Sequence, residues 1–286
     1  ADVAASDDAT GAAALGGDSG LIQRRKELLP LQVVAGNGGI AGLMIGQDLS
    51  PLMHVQGCPF CEQAESGGAG REVHELAVKT ADVVVLAVKP PVIDGVLEGF
   101  QASLGRKPLV ISIAAGISTS WLENKLGEGV RVVRAMPNTP ALVCSGAAGI
   151  CRGRWATDAD FNIAEAMMSA VGVGARVEER DMDAVTALSG SGPAYVFHLM
   201  EAMIAAAHHA GLDDEVARKL VCATVRGSAM LAEGTGLDPA ELRRRVTSKG
   251  GTTEAALEVL EEKRVYHAYR QAIAAAHRRA QELSGG

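Results

Sequence analysis

Aromatic side chains are scarce in this 286-residue chain, at 3%, beside 48% hydrophobic and 21% charged residues. That balance is the composition of a soluble globular protein of one large or two ordinary domains. A basic excess is missing: the net charge is −7, so nothing points to nucleic acid or an anionic membrane as partner. No apolar run approaches the roughly 18 residues that cross a bilayer. Cysteines number only five, an odd and sparse set that fits a reduced, cytoplasmic compartment better than a disulfide framework. Cys58 and Cys61 have redox or metal spacing, but no second pair completes a zinc site, and they read as incidental. No HExxH pattern is present, and no metal is expected. The opening segment "ADVAASDDATGAAALGGDSG" is small, acidic and glycine-rich. It lacks the basic and apolar regions of a signal peptide, and residues 1–30 read as a flexible tail.

Short β-branched runs fill the first half: "LQVVA" (31–35), "DVVVLAV" (82–88), "PLVISI" (108–113), "VRVVRA" (130–135) and "AAGIC" (147–151). Several are apolar without alternation, as strands buried on both faces of a parallel sheet should be. Helical spacing separates some of them. Thr157 is placed to cap a helix carrying Phe161, Ala164, Met167 and Met168 on one face. Alternating strands and helices predict a doubly wound α/β domain over 31–173. After about Val173 the patterns are helical to the end, so 174–286 is expected to be an all-α domain. "SGSGP" is expected to break one helix from the next, with Ser191 as cap and Pro193 at its first position. Gly211 is expected to end that helix, and "DPAEL" starts another, with Asp238 as cap, Pro239 at N1 and Glu241 at N3. Val216, Leu220, Thr224, Gly227 and Leu231 form one helix face whose small members permit close packing.

A glycine-rich turn, "GNGGIA", directly follows the first strand. Gly36, Gly38 and Ala41 match G-x-G-x-x-A: a tight turn, close backbone approach to a pyrophosphate, and close packing of helix on strand. With Asn37 and Gly39 they form the expected phosphate-binding turn of a dinucleotide site. The place where an NAD site carries Asp or Glu reads "MHVQGCPF", without an acid, which leans towards NADP. Arg71 reads as a solvated loop residue rather than a partner of the 2′-phosphate. Ala87, Val88, Lys89 and Pro90 lie at a carboxyl strand end, where ligands bind in open α/β sheets. Lys89 is equally readable as a surface lysine. Ala114 and Ala115 in "SIAAG", and Asn138 in "MPNTP", follow two further strands and offer small side chains and exposed backbone to a ring. Asn138 and Thr139 are also readable as residues that only shape the turn between two prolines.

A second candidate site is the loop "VTSKGGTTEAAL" (246–257). Thr247, Ser248, Gly250, Gly251, Thr252 and Thr253 run into a helix with no carboxylate or histidine among them. Two glycines are expected to turn backbone N–H groups inward, and the helix start adds donors and its dipole, making an anion site. The competing reading is an N-cap with no ligand.

"AVKP", "SIAAGIS", "RAMPNTPALV", "DAVTALSGSGPAYVF" and "VTSKGGTTEAAL", in this order and spacing, resemble pyrroline-5-carboxylate reductase. The likeness covers roughly residues 72–281. The first 71 residues match poorly: the family's turn is of the G-x-G-N-M-A type, and a long segment precedes it here. The resemblance implies a Rossmann-like sheet domain followed by an all-α dimerisation domain. It also implies reduction of Δ1-pyrroline-5-carboxylate to L-proline, the last step of proline biosynthesis. NADPH would be the hydride source, with NADH as the alternative. It places the substrate carboxylate and ring in the 247–253 loop, with Thr253 hydrogen-bonded to the ring nitrogen and Ser248 beside it as the two catalytic hydroxyls. An acid near the substrate in the family falls at about Gly236 here, with Glu233 and Asp238 as the nearby carboxylates. His198, His208 and His209 read as core or surface residues.

The chemistry explains the missing acid and base. A protonated cyclic imine already accepts hydride, so positioning in a dry cleft is the main requirement. A ketone substrate would need more. That sets aside a β-hydroxyacid-dehydrogenase-like oxidoreductase, which uses a helix lysine that "SGPAYVFHLMEAM" lacks. An inactive nucleotide-binding homologue is the remaining alternative. Long stripes rich in Ala, Gly, Met and Leu in the helical half, with the resemblance, imply an obligate homodimer, joined into larger rings, with the active site between subunits.

Overall fold

In the computed structural model, residues 32–34, 81–100, 104 and 107–285 are described. The expected tail (1–30), the Gly36–Gly39 turn, Cys58, Cys61 and Arg71 lie outside them. Six strands form one sheet in the order β1 (Gln32–Val34), β2 (Val83–Leu86), β3 (Leu109–Ser112), β4 (Arg131–Pro137), β5 (Gly146–Arg152) and β6 (Gly172–Arg176). β1 to β4 are parallel, β5 is antiparallel to β4, and β6 is parallel to β5. The apolar runs predict β1–β5 well. The last strand continues to Arg176, past the point where the sequence patterns turn helical; its Gly-Val-Gly-Ala-Arg composition carries little strand signal.

Helices cover both faces, as unalternating strands require. On one face Val84, Leu86, Val110 and Val132 pack with Ile93 and Leu97 of α1 (Ile93–Phe100) and with Leu122 and Leu126 of α2 (Thr119–Leu126). On the other, Val85, Ile111, Val133 and Ile150 pack with Phe161, Ala164, Met167 and Met168 of α3 (Asp158–Ser169). Each large apolar side chain fully buried here contributes about 1.5–3 kcal/mol. Thr157 caps α3 as expected, in a reciprocal capping box with Asp160. Asp160 is buried and satisfied by Arg131 Nη1 at 2.6 Å.

Beyond β6 the chain is helical: α4 (Met182–Val185), a π-helical turn (Thr186–Gly190), α5 (Gly192–His209), α6 (Asp214–Thr235), α7 (Pro239–Arg245), α8 (Thr252–Glu262) and α9 (Val265–Ser284). Gly211, with φ +90°, ends α5. Asp238 caps α7 by accepting from Ala240 N at 2.8 Å, with Pro239 at its start. "SGSGP" does not break the helix as expected. Ser191 stays helical and its side chain caps nothing. Its N–H instead reaches back to Thr186 O at 2.9 Å, a one-turn widening. Tyr195 Oη donates to Ala187 O at 3.0 Å inside that turn.

This helical region buries little of its own. Met182, Ala187, Ala217, Val221 and Ala280 are its buried apolar residues. Phe197 (55% exposed), Met230 (62%) and Tyr266 (73%) stand open, as do Leu220 and Leu231 of the stripe identified in α6. Among the described residues no helix is long and apolar enough to cross a membrane. An apolar surface of this extent on a lone chain marks a protein–protein interface.

Candidate active site

The parallel register of β2, β3 and β4 brings their carboxyl ends side by side. Ala87, Val88, Lys89 and Pro90 leave β2, Ala114 and Ala115 leave β3, and Asn138 leaves β4. Val88 and Ala114 are buried, whereas Lys89, Pro90 and Ala115 are exposed. The edge is a ledge of small residues and backbone with one cation on it. That fits a nicotinamide nucleotide, whose rings need close backbone approach and whose phosphates need positive charge. Asn138 plays the framework role. Its Nδ2 donates to Ser189 O at 3.0 Å and its Oδ1 accepts from Ala147 N at 2.9 Å. Both ends of the amide are therefore used to tie β4, β5 and the π-turn together.

The second group, Thr247, Ser248, Gly250, Gly251, Thr252 and Thr253, forms the α7–α8 connection. The hydrogen bonds found there stay within the loop and its flanking helices. Thr247 Oγ1 donates to Arg243 O at 2.7 Å, which occupies that hydroxyl. Gly250 needs its φ of +72°, in the left-handed region open to glycine. Its N–H donates to Glu254 Oε2 at 2.6 Å, and Gly251 N donates to Ser248 O at 3.0 Å. The expectation that both glycine N–H groups turn towards a ligand is thus corrected: Gly250 N is taken by Glu254 of α8 and Gly251 N by Ser248 of the loop. The donors left over are the N–H groups of Thr252, Thr253 and Glu254 in the first turn of α8, which have no acceptor within a helix.

Three hydroxyls are also left over. Gly251, not a hydroxyl residue, is the N-cap of α8, and it makes no side-chain cap. Among the described residues the side chains of Ser248, Thr252 and Thr253 make no hydrogen bond. The capping found at this helix start is the Glu254 carboxylate on Gly250 N, not one of these hydroxyls. Of the carboxylates near Gly236, Asp238 is used as the α7 cap, and Gly236 itself, at φ +61°, ends α6.

The sheet and the helical region are joined by a polar cluster that sequence reading missed. Arg134 of β4 is buried, its side chain 3% exposed, and pairs through Nη1 with Glu179 Oε1 at 2.5 Å. Glu179 Oε2 accepts from Thr119 N (3.2 Å), Thr119 Oγ1 (2.7 Å) and Cys151 Sγ (3.2 Å). Burial pushes the Glu179 carboxyl up, but the Thr119 hydrogen bond and the charge of Arg134 outweigh it and hold the group below its ordinary value. Burial, followed by the Glu179 charge, pushes the Cys151 thiol up, so it stays protonated and donates. The available signal was Arg134 itself: an arginine inside an apolar strand must find a partner.

Comparison with known proteins agrees with this layout. A family model described as "Pyrroline-5-carboxylate reductase dimerisation" matches residues 179–283, and one described as "NADP oxidoreductase coenzyme F420-dependent" matches 61–116. The chain is 42% identical over 227 residues to a pyrroline-5-carboxylate reductase of Methanosarcina acetivorans, covering 79% of this chain and 84% of the relative. It is 40% identical over 264 residues to one of Pseudomonas aeruginosa, covering 87% and 95%. That last span does not fit within residues 72–286, so the likeness takes in part of the preceding segment, further than the quoted motifs reach. Among solved structures, a pyrroline-5-carboxylate reductase from Coxiella burnetii superposes with TM-score 0.71 at 45% identity, covering 74% of this chain and 79% of that one. One from Plasmodium falciparum with NADP bound gives 0.69 at 31% identity, covering 74% and 80%.

Proposed function

The chain belongs to the pyrroline-5-carboxylate reductase family, and on that premise we propose how its residues divide the reduction of Δ1-pyrroline-5-carboxylate to L-proline. Bound NADPH supplies the hydride. Gly36–Gly39 hold its phosphates, and residues 87–90 with Ala114 and Ala115 seat the nicotinamide end, on the frame that Asn138 braces. The 247–253 loop receives the substrate: the first-turn N–H groups of α8 and the hydroxyls of Ser248 and Thr252 take the carboxylate, and Thr253 Oγ1 meets the ring nitrogen. A neutral imine nitrogen accepts from that hydroxyl, and a protonated one donates to it. Either way the acceptor carbon is oriented before transfer. What carries the reading is the set of three hydroxyls without a partner at a helix N-terminus. Adding Δ1-pyrroline-5-carboxylate to protein and NADPH is expected to oxidise the NADPH and yield proline. Protein that binds NADPH and leaves it unoxidised would overturn the reading.

The site is completed between two chains. The exposed apolar faces of α5, α6, α8 and α9 interlock with those of a second copy, and the loop of one subunit faces the nicotinamide held by the other. We place the boundary between the two domains at the end of β6, and the enzyme in the cytoplasm. A variant with a damaged Gly36–Gly38 turn is expected to be inactive, and a Thr253→Ala variant to be slowed roughly tenfold to a hundredfold. Mixed dimers of the two regain activity, since one of their two shared sites is intact. Mixed dimers that form and stay inactive sink the shared-site arrangement.

NADPH is expected to give the higher kcat/KM, because "MHVQGCPF" offers no carboxylate to a ribose 2′-hydroxyl and would repel no 2′-phosphate. Equal or better kcat/KM with NADH would reject that preference.

A further inference from the structure

The last turn of α9 lies against the cofactor edge of its own chain. A Cβ on Gly116, in the loop after β3, would stand 3.2 Å from Leu283 O and 3.8 Å from Leu283 Cβ. Gly116 also has φ +75°, so the loop turns where that carbonyl arrives. One residue on, Ser284 Oγ donates to Asp183 Oδ2 at 2.9 Å, with Gln281 O at 3.2 Å as the competing acceptor. Asp183 belongs to α4, which leads straight into the π-turn that Asn138 holds through Ser189. The 113–118 loop is thus fixed from two sides. Thr119 is bound to Glu179 at one end, and Leu283 closes on Gly116 in the middle.

We propose that Leu283 and Ser284 are positioning residues for the dinucleotide. The Ser284–Asp183 bond holds the last turn of α9, and that turn sets the height of Ala114–Gly116 at the edge where the nicotinamide end binds. The inference rests on the assignment of Ala114 and Ala115 to the cofactor site. It adds that α9 tunes cofactor affinity from within the same subunit. A shift of about 1 Å in such a loop is enough to lose much of a well-placed contact.

The test is NADPH titration by fluorescence, with steady-state kinetics, on Ser284→Ala, Asp183→Ala and their double variant. Each single change is expected to raise the NADPH Kd and KM about threefold to tenfold, part of what a lost hydrogen bond to a carboxylate is worth. KM for the imine should not move. The double variant should be no worse than the worse single, since both remove one bond, and Ser284→Thr should keep the wild-type Kd. Gly116→Ala, which presses on the same contact from the loop side, should weaken NADPH in the same way. At a temperature well below the melting transition the folded fraction stays near one, so a loss of stability alone would lower the melting temperature and leave Kd unchanged. Unchanged Kd in folded Ser284→Ala and Gly116→Ala proteins overturns the proposal. Failure of the wild-type protein to bind NADPH would instead overturn the cofactor assignment beneath it.

Discussion

Glu179→Ala is expected to destabilise the protein by about 3 kcal/mol, the low end of the cost of breaking a buried ion pair from one side, because Glu179 itself is 33% exposed. The loss falls on Arg134. Its side chain is only 3% exposed, and its Nε and Nη2 already lack a hydrogen-bond partner among the described residues. Arginine cannot shed its charge, so without Glu179 the cation stays in place, buried and uncompensated. Thr119 N, Thr119 Oγ1 and Cys151 Sγ lose their acceptor in the same change. Glu179→Gln should cost less, because its amide oxygen still accepts. Replacing both partners, as in Arg134→Met with Glu179→Leu, should recover much of the loss, since no charge is then left buried. Chemical denaturation at one fixed protein concentration measures this, because an associating protein's stability depends on concentration. A loss below about 1 kcal/mol would mean the pair behaves like a surface salt bridge. The pH dependence has a definite sign. Glu179 is held below its ordinary carboxyl value in the fold, so the pair's contribution is fully present above the ordinary carboxylate range. It is lost as pH falls through the lowered folded value.

The sheet was legible in the sequence for a physical reason. Strands such as "DVVVLAV" and "PLVISI" are buried on both faces, so their apolar runs are continuous and announce themselves. Thr157 and Asp238 were legible because helix caps depend on local sequence alone. β6 was not, because Gly172 and Gly174 carry almost no propensity and the strand exists by pairing with β5. The Thr186–Gly190 turn was not either: glycines and a proline in series read as a break, whereas a backbone bond from Ser191 to Thr186 keeps the helix running. In the 247–253 loop, residue types pointed to an anion site, but which N–H groups remain free is decided by Glu254, whose carboxylate takes the Gly250 donor. The Arg134–Glu179 junction is a 45-residue separation, beyond the reach of any periodicity.

Thr253→Ala is expected to lower kcat/KM by about 1.5–3 kcal/mol, roughly tenfold to a hundredfold, with the fold intact. The fold should survive because the Thr253 hydroxyl holds nothing in the resting chain. α8 is capped at Gly251, and the Gly250 turn is closed by Glu254. Alanine is also the better helix former. The cost should therefore fall on the reaction. There the hydroxyl is the group assigned to the imine nitrogen, whose charge changes as hydride arrives, and the carboxylate at the loop, Glu254, is taken by Gly250 N. Because hydride transfer neutralises an iminium nitrogen, the bond is at least as strong in the bound substrate as in the transition state, and the loss should appear in KM as well as in kcat. Thr247→Ala is the matched control. Its hydroxyl is already given to Arg243 O, so it should cost at most a small amount of stability and leave kcat near wild type. Thr253→Ser, which keeps the hydroxyl, should retain most of the rate. Wild-type kcat/KM in a folded Thr253→Ala protein would remove this hydroxyl from the mechanism and leave hydride transfer to positioning by the loop backbone.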